Sequence, residues 1–234
     1  MRPLIEALDS GRDIDKVLVQ KGIAGDLFRQ LRQLLESTGT PMQFVPVQKL
    51  NQYTSQNHQG IIAFLSAVKF YELENMINTD LAAGKTPVYA LADGITDVRN
   101  FGAIARSAEC FGIDGIILPS SGSARVNADA VKTSAGALLK LPICRISNTV
   151  DAIHLLKQNG FRVISFSEKA TEAIGEKKIP TPAVVIFGSE EKGVSKMALK
   201  LSDKVLKINM HGTTGSLNVS VAAGIVFHEL AKNR

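Results

Sequence analysis

The chain predicts an α/β fold: a parallel sheet covered on both faces by helices, preceded by a smaller α/β unit. Three observations carry the prediction. From residue 86 onward, short apolar runs alternate with amphipathic segments in repeated strand–helix units. Runs such as Ala183-Val184-Val185-Ile186-Phe187 are apolar without alternation, the pattern of strands buried on both faces. Loops rich in Gly, Ser, Asn and Glu follow several of these runs, and open parallel sheets bind ligands beyond the carboxyl ends of their strands.

Residues 1–72 read as the small unit. Pro3-Leu4-Ile5-Glu6-Ala7-Leu8 starts a short helix, and Asp15-Lys16-Val17-Leu18-Val19 reads as a strand. Asp26 to Leu35 is an amphipathic helix, Gln43 to Val47 a second strand and Ile61 to Leu65 a third. The polar stretch between the last two ends in Asn57-His58-Gln59-Gly60. Its side chains suit the edges or sugars of a nucleic acid, and equally a polar turn before a strand. His58 has no cysteine or second histidine beside it, so a metal site is not expected there. Residues 73–85, helical and then polar, read as a linker to the larger domain at 86–234.

In that domain the predicted strands are Pro87–Ala92, Gly115–Pro119, Ile143–Ile146, Arg162–Phe166, Ala183–Phe187 and Lys204–Ile208. Helices are expected at Asn100–Phe111, Asp129–Leu138 and Val150–Gln158, and a last one behind Ser216. In that last helix Val219, Ala222, Ala223, Val226, Phe227 and Leu230 recur at three- and four-residue steps, which makes one apolar face. The Ser216 hydroxyl suits the role of N-cap.

Composition bounds the rest. A 45% hydrophobic and 21% charged chain of 234 residues is ordinary for a globular protein with a substantial core. No apolar run approaches the ~20 residues of a membrane span, and the start shows no signal-peptide core. The expected location is therefore the cytoplasm. Cys110 and Cys144 lie far apart in apolar surroundings, which predicts neither a disulfide nor a zinc site. The net charge of +5 leans only weakly towards an anionic partner.

Three strand ends carry unusual residues. Asp97-Val98-Arg99-Asn100-Phe101-Gly102 to Arg106 places two arginines, an Asn and a Gly at one helix start, a set that suits phosphate or ribose. Asn100 is a candidate cap for that helix, and Arg106 reads equally as a snorkelling surface residue. Phe187-Gly188-Ser189-Glu190-Glu191-Lys192-Gly193 follows the most apolar strand. Ile208 to Ser220 leads into the last helix through a Gly/Thr turn whose backbone donors are open to a ligand. No G-x-G-x-x-G follows a strand, and neither a Walker lysine motif nor a nucleophile elbow appears. Dinucleotide, nucleotide triphosphate and serine hydrolase chemistry of the usual kinds are thereby disfavoured.

In this order the three segments resemble the SpoU/TrmH family of RNA ribose 2'-O-methyltransferases. Asn100 to Arg106 looks like its N-x-G-x-x-x-R motif, and Gly188 to Gly193 like G-x-E-x-x-G. Ile208 to Met210 with Ser216-Leu217-Asn218-Val219-Ser220 looks like the third motif. Residues 1–72 are similar to the small RNA-binding domain found in many members.

The resemblance implies a C-terminal trefoil knot in the sheet domain and a homodimer. It also implies S-adenosylmethionine as methyl donor and a ribose 2'-hydroxyl of structured RNA as acceptor. Ribosomal RNA of the large subunit is the first expectation for that RNA, and transfer RNA the second. Carried over by position, Gly188, Ile208, Met210, Leu217 and Asn218 would bind the cofactor. Arg106, Asn100, Glu190, Ser216 and Asn218 would form the catalytic cluster, and His58, Gln59, Arg99 and Arg106 would meet RNA. Asn209 departs from the family, which usually has proline there, so this strand end is less rigid. Two other readings stand beside this one: an inactive RNA-binding paralogue of the same fold, and an unrelated doubly wound enzyme for a small anionic metabolite.

Overall fold

The computed structural model describes residues 1–176 and 178–232. It divides into two compact units, Met1–Lys69 and Phe70–Arg234.

The first unit runs α1 (Arg2–Asp9), β1 (Ile14–Gln20), α2 (Asp26–Ser37), β2 (Met42–Val45), α3 (Val47–Asn51) and β3 (Ile61–Leu65). Its sheet has the order β2-β1-β3, with β1 parallel to β2 and antiparallel to β3. Side chains of β1 alternate between two clusters, as the two-residue strand period requires. Val17 and Val19 pack with Phe28, Leu31 and Leu35 on one face. Leu18 packs with Val45 and Leu50 on the other. Strand β2 stops before Pro46, which lacks an N–H for the ladder.

The second unit opens with β4 (Phe70–Tyr71) and α4 (Leu73–Ala82). The division of the chain thus falls just before residues 73–85, which do not form an extended connector. Leu73, Met76 and Ile77 recur at helical spacing and are buried in the core of the second unit. Asp80 at the end of this helix accepts from the Tyr89 hydroxyl at 2.7 Å and from Lys85 Nζ at 2.8 Å. Burial, followed by that hydrogen bond, pushes the Tyr89 phenol far above its ordinary range, so it stays a donor.

The chain continues through β5 (Val88–Asp93), α5 (Val98–Cys110), β6 (Gly115–Pro119), α6 (Ala128–Thr133), β7 (Ile143–Ile146), α7 (Thr149–Gln158) and β8 (Arg162–Phe166). It ends through β9 (Glu172–Ala173), β10 (Ala183–Gly188), α8 (Lys196–Leu201), β11 (Lys204–Lys207) and α9 (Val219–Ala231). The sheet order is β4-β7-β6-β5-β10-β8-β11-β9, and every pairing in it is parallel. Strands β5 and β10 are adjacent and central, and five consecutive residues of each, Val88–Ala92 and Ala183–Phe187, are buried.

The Ala-rich segment differs from expectation. Helix α6 stops at Thr133 because Ala135 and Gly136 take positive φ of 51° and 84°, and a short 3-10 turn follows at Ala137–Leu139. Its last turn packs against Gly102 of α5, where a Cβ would lie 2.7 Å from Thr133 Cβ and 3.1 Å from the Ala130 carbonyl oxygen. Gly102 is therefore required by helix packing rather than by a ligand. Helix α9 packs on α5 too: Phe111 and His228 rings lie 5.5 Å apart, and a Cβ on Gly224 would meet Ser107 Oγ at 3.6 Å.

One ion pair makes a pH prediction. Asp203 accepts from Lys157 Nζ at 2.7 Å and from the Val163 N–H at 2.8 Å, tying α7 to β8. Partial burial raises its pKa, but these hydrogen bonds and the Lys157 charge outweigh it and hold the carboxyl below its usual 3.8. A depressed folded pKa contributes stability above the ordinary value and loses it as pH falls through the folded one. The melting temperature of an Asp203→Asn variant should therefore fall less steeply than wild type as pH drops below 3.8. Parallel curves for the two proteins would contradict the assignment.

Candidate cofactor and catalytic site

The carboxyl ends of β8, β10 and β11 open into one cavity of about 420 Å³, within the range of small-molecule sites. Its apolar lining includes Phe166, Phe187, Ile208, Met210 and Leu217. Beneath it the rings form a chain: Phe166 stacks on Phe187 at 5.5 Å, and Phe187 meets Phe227 of α9 edge-on at 5.5 Å.

Gly188 ends β10, and its loop turns back at once. Ser189 and Gly193 form a bridge, with the Gly193 N–H donating to the Ser189 carbonyl at 2.8 Å. A Cβ on Gly188 would lie 1.9 Å from Gly193 C and 2.0 Å from Val194 N, so only glycine fits. The Asp93 carboxylate at the end of β5 accepts from the Ser195 N–H at 2.7 Å and holds the other end of the loop.

A polar chain crosses beside this cavity. Asn218 Nδ2 donates to Asn100 Oδ1 at 3.1 Å. Asn100 Nδ2 in turn donates to Glu190 Oε1. Three segments separated by 90 and 118 residues are thus joined through one amide. At both helix starts the cap is a residue other than the expected one. Asp97 caps α5, accepting from the Arg99 and Asn100 N–H groups at 2.8 and 2.9 Å. Asn100 is in the first turn instead, with its side chain turned outward to the cluster. Val98 is the first helical residue, where the rigid φ of proline would also be tolerated. At the other helix Ser216 is not the cap. Asn218 caps α9, its Oδ1 accepting from the Ser220 N–H at 2.9 Å and the Ser220 hydroxyl at 2.6 Å.

The remaining expected residues fall into two groups. Ser216, Leu217, Asn218, Ile208, Met210, Gly188 and Glu190 all line the cavity. Arg106 and Arg99 do not; both are exposed on α5, and among the described residues their side chains make no hydrogen bond or ion pair. In the first unit, His58 is engaged within its own turn. Its Nδ1 accepts from the Gly60 N–H at 3.0 Å, which leaves Nε2 to donate to Asn51 Oδ1 at 2.9 Å. Gln59 beside it takes a positive φ of 48° and is exposed. Sequence reasoning missed Ser167, Glu168 and Lys169, which also line the cavity. They directly follow β8, and the rule that ligands bind beyond strand carboxyl ends would have found them. Among the described residues no group of His, Cys, Asp and Glu is placed to hold a metal ion.

The fold and site define an α/β protein with a ligand cavity at the carboxyl ends of a parallel sheet. Comparison with known proteins gives its family. The model of the SpoU rRNA methylase family matches residues 87–228. The model for RNA 2'-O ribose methyltransferase substrate binding matches residues 1–71. The chain belongs to the SpoU methylase family and is an RNA methyltransferase that uses S-adenosylmethionine.

Among its relatives, a 23S rRNA (guanosine-2'-O-)-methyltransferase RlmB of Photorhabdus laumondii is 34% identical over 94% of this chain and 90% of its own length. An uncharacterized tRNA/rRNA methyltransferase of Synechocystis is 33% identical over 99% of this chain, which spans 61% of that protein. The crystal structure of an AdoMet-bound rRNA methyltransferase from Sinorhizobium meliloti shares the fold. Its TM-score is 0.64 at 22% identity, covering 99% of this chain and 85% of that one.

The cavity suits the cofactor of the family. Apolar side chains at Phe166, Ile208, Met210 and Leu217 give an adenine an apolar lining to pack on. Ser167, Glu168 and Lys169 line the same cavity and supply polar groups of the kind its hydroxyl and charged groups need.

Proposed function

We propose that this protein methylates the ribose 2'-hydroxyl of a guanosine in 23S ribosomal RNA. The observation that carries the reading is the hydrogen-bonded chain Asn218–Asn100–Glu190 at the cavity. It unites the three motif segments where cofactor and ribose would meet. The match of residues 1–71 to a substrate-binding model and the near full-length likeness to the Photorhabdus enzyme support the choice of RNA. Ribosomal RNA in turn puts the reaction in the cytoplasm.

Bound S-adenosylmethionine would supply an electrophilic methyl group. Gly188, Ile208, Met210, Leu217 and Asn218 would hold it, largely through backbone and apolar contacts. Asn100, fixed from both sides of its amide, would present the ribose with Glu190, Ser216 and Asn218. Holding the two reactants in one geometry is worth several kcal/mol of barrier. A guanidinium is always charged, so Arg106 would serve as a cation rather than a base. It would bind the neighbouring phosphate and stabilise charge developing on the attacking oxygen. Arg99, at the start of the same helix, would add a second phosphate contact. His58 and Gln59 would shape an RNA-facing turn in the substrate-binding unit.

We also propose the family's homodimer and knot. Val221 and Ile225, four residues apart on α9, are exposed apolar residues, a surface suited to a second copy. Sedimentation equilibrium that returned the mass of a single chain would rule that out. For the knot, the return from β11 past the 188–194 loop to α9 supports a threaded path, because both stretches line one cavity. A crystallographic chain trace that closes without threading would remove it.

The activity is tested with labelled S-adenosylmethionine and total RNA from a deletion strain. Filter-bound label is expected with that RNA and little with wild-type RNA, which is already modified. Turnover without RNA would instead favour a small-metabolite enzyme.

A further inference from the structure

One aromatic group in the first unit has no part in the site described above. The register of β1 and β3 sets Lys16 opposite Phe64 and Leu18 opposite Ile62, so these four share a face of the small sheet. Leu18 is buried there against Val45 and Leu50. Beyond that cluster the face ends in an aromatic step. Tyr53, just after α3, meets Phe64 edge-on with ring centroids 5.1 Å apart and planes at 79°. Lys16 Nζ lies 4.4 Å from the Phe64 centroid and 5.9 Å from that of Tyr53.

A ring needed only to roof the Leu18 cluster would be buried. Tyr53 is 46% exposed, and Leu50 already covers that cluster at 0% exposure. The step therefore offers a half-exposed aromatic ring with a cation beside it. A ring face takes a nucleobase by stacking, and an ammonium takes the adjoining phosphate. A paired base hides both its faces, so the fit is to an unpaired nucleotide.

We infer that Tyr53, backed by Phe64 and flanked by Lys16, is a stacking site for an unpaired base of the RNA substrate. The inference rests on the RNA reading above and adds to it: the substrate-binding unit grips a single-stranded element.

The chain contains no tryptophan, so a Tyr53→Trp variant of the full-length protein carries its only indole at this position. Titration with a short single-stranded oligoadenylate should quench its emission in step with binding followed by anisotropy. Tyr53→Ala should weaken that binding roughly tenfold, while Tyr53→Phe should bind like wild type. Lys16→Ala should lower the slope of log affinity against log salt by about one. Emission that stays constant while anisotropy saturates overturns the inference. So does equal weakening by Tyr53→Phe and Tyr53→Ala, or equal quenching by a blunt RNA duplex. If Tyr53→Ala fails to fold, the tryptophan titration decides alone. Wild-type protein that binds neither the oligoadenylate nor 23S RNA by anisotropy overturns the RNA reading itself.

Discussion

An Arg106→Ala variant is expected to bind S-adenosylmethionine as wild type does and to lose methyl transfer to RNA by at least ~100-fold in kcat. The size follows from the proposed role: a cation brought against an oxygen that becomes charged only as it attacks. The structure makes the test clean. Arg106 is exposed, and its loss removes no hydrogen bond or ion pair among the described residues. Surface changes of this kind move stability by within about 0.5 kcal/mol. It also lies outside the cavity lining, so cofactor affinity by calorimetry should hold. An Arg106→Lys variant should recover little, because an ammonium lacks the planar bidentate fork. Full activity in Arg106→Ala would show that the arginine is only a surface residue.

The second large effect belongs to Gly188. A methyl group there would lie 1.9–2.0 Å from backbone atoms of Gly193 and Val194. Backbone cannot swing aside as a flexible side chain does, so Gly188→Ala must push the 189–194 loop outward. That loop forms one wall of the cavity and carries Glu190 to Asn100. Cofactor affinity should therefore drop by more than tenfold, on the order of 1.4 kcal/mol or more. Activity should fall with it. The sheet should survive, since β10 pairs with β5 along its whole buried run and with β8 from Ala183 to Ile186. Gly193→Ala makes the contrast. No atom lies within 4 Å of its Cβ position, and its penalty comes only from a φ of 66°. Equal cofactor affinity in Gly188→Ala and wild type would show that the loop is not part of the binding wall.

Much of this architecture was legible in the residues. The buried strands β5, β6 and β10 announce themselves as near-unbroken apolar runs, and α9 shows its inner face at helical spacing. Short elements were not legible. Helix α8 has six residues and β9 has two, too few for any period to show. Helix α4 looked like a linker because its sequence mixes polar residues into a half-buried turn, and only the packing of Met76 and Ile77 reveals its place.

The site was legible in part. Its three segments were marked by Gly, Asn, Glu and Ser after strand ends, but their convergence came from the family resemblance. Spacing alone says nothing of a contact between Asn100 and Asn218. The caps show the same limit. Asp97 and Asn218 compete with Asn100 and Ser216 for the same role, and all three residue types cap helices well. Tertiary contacts decide the contest at Asn100, whose amide is taken by Glu190 and Asn218.

The central claim is ribose methylation of 23S ribosomal RNA, and nucleoside analysis tests it most directly. The purified protein is incubated with labelled S-adenosylmethionine and 23S RNA from a deletion strain, and the RNA is digested to nucleosides and chromatographed. The account predicts that the label elutes as 2'-O-methylguanosine. Label in a base-methylated nucleoside, or transfer to tRNA with none to 23S RNA, would contradict it.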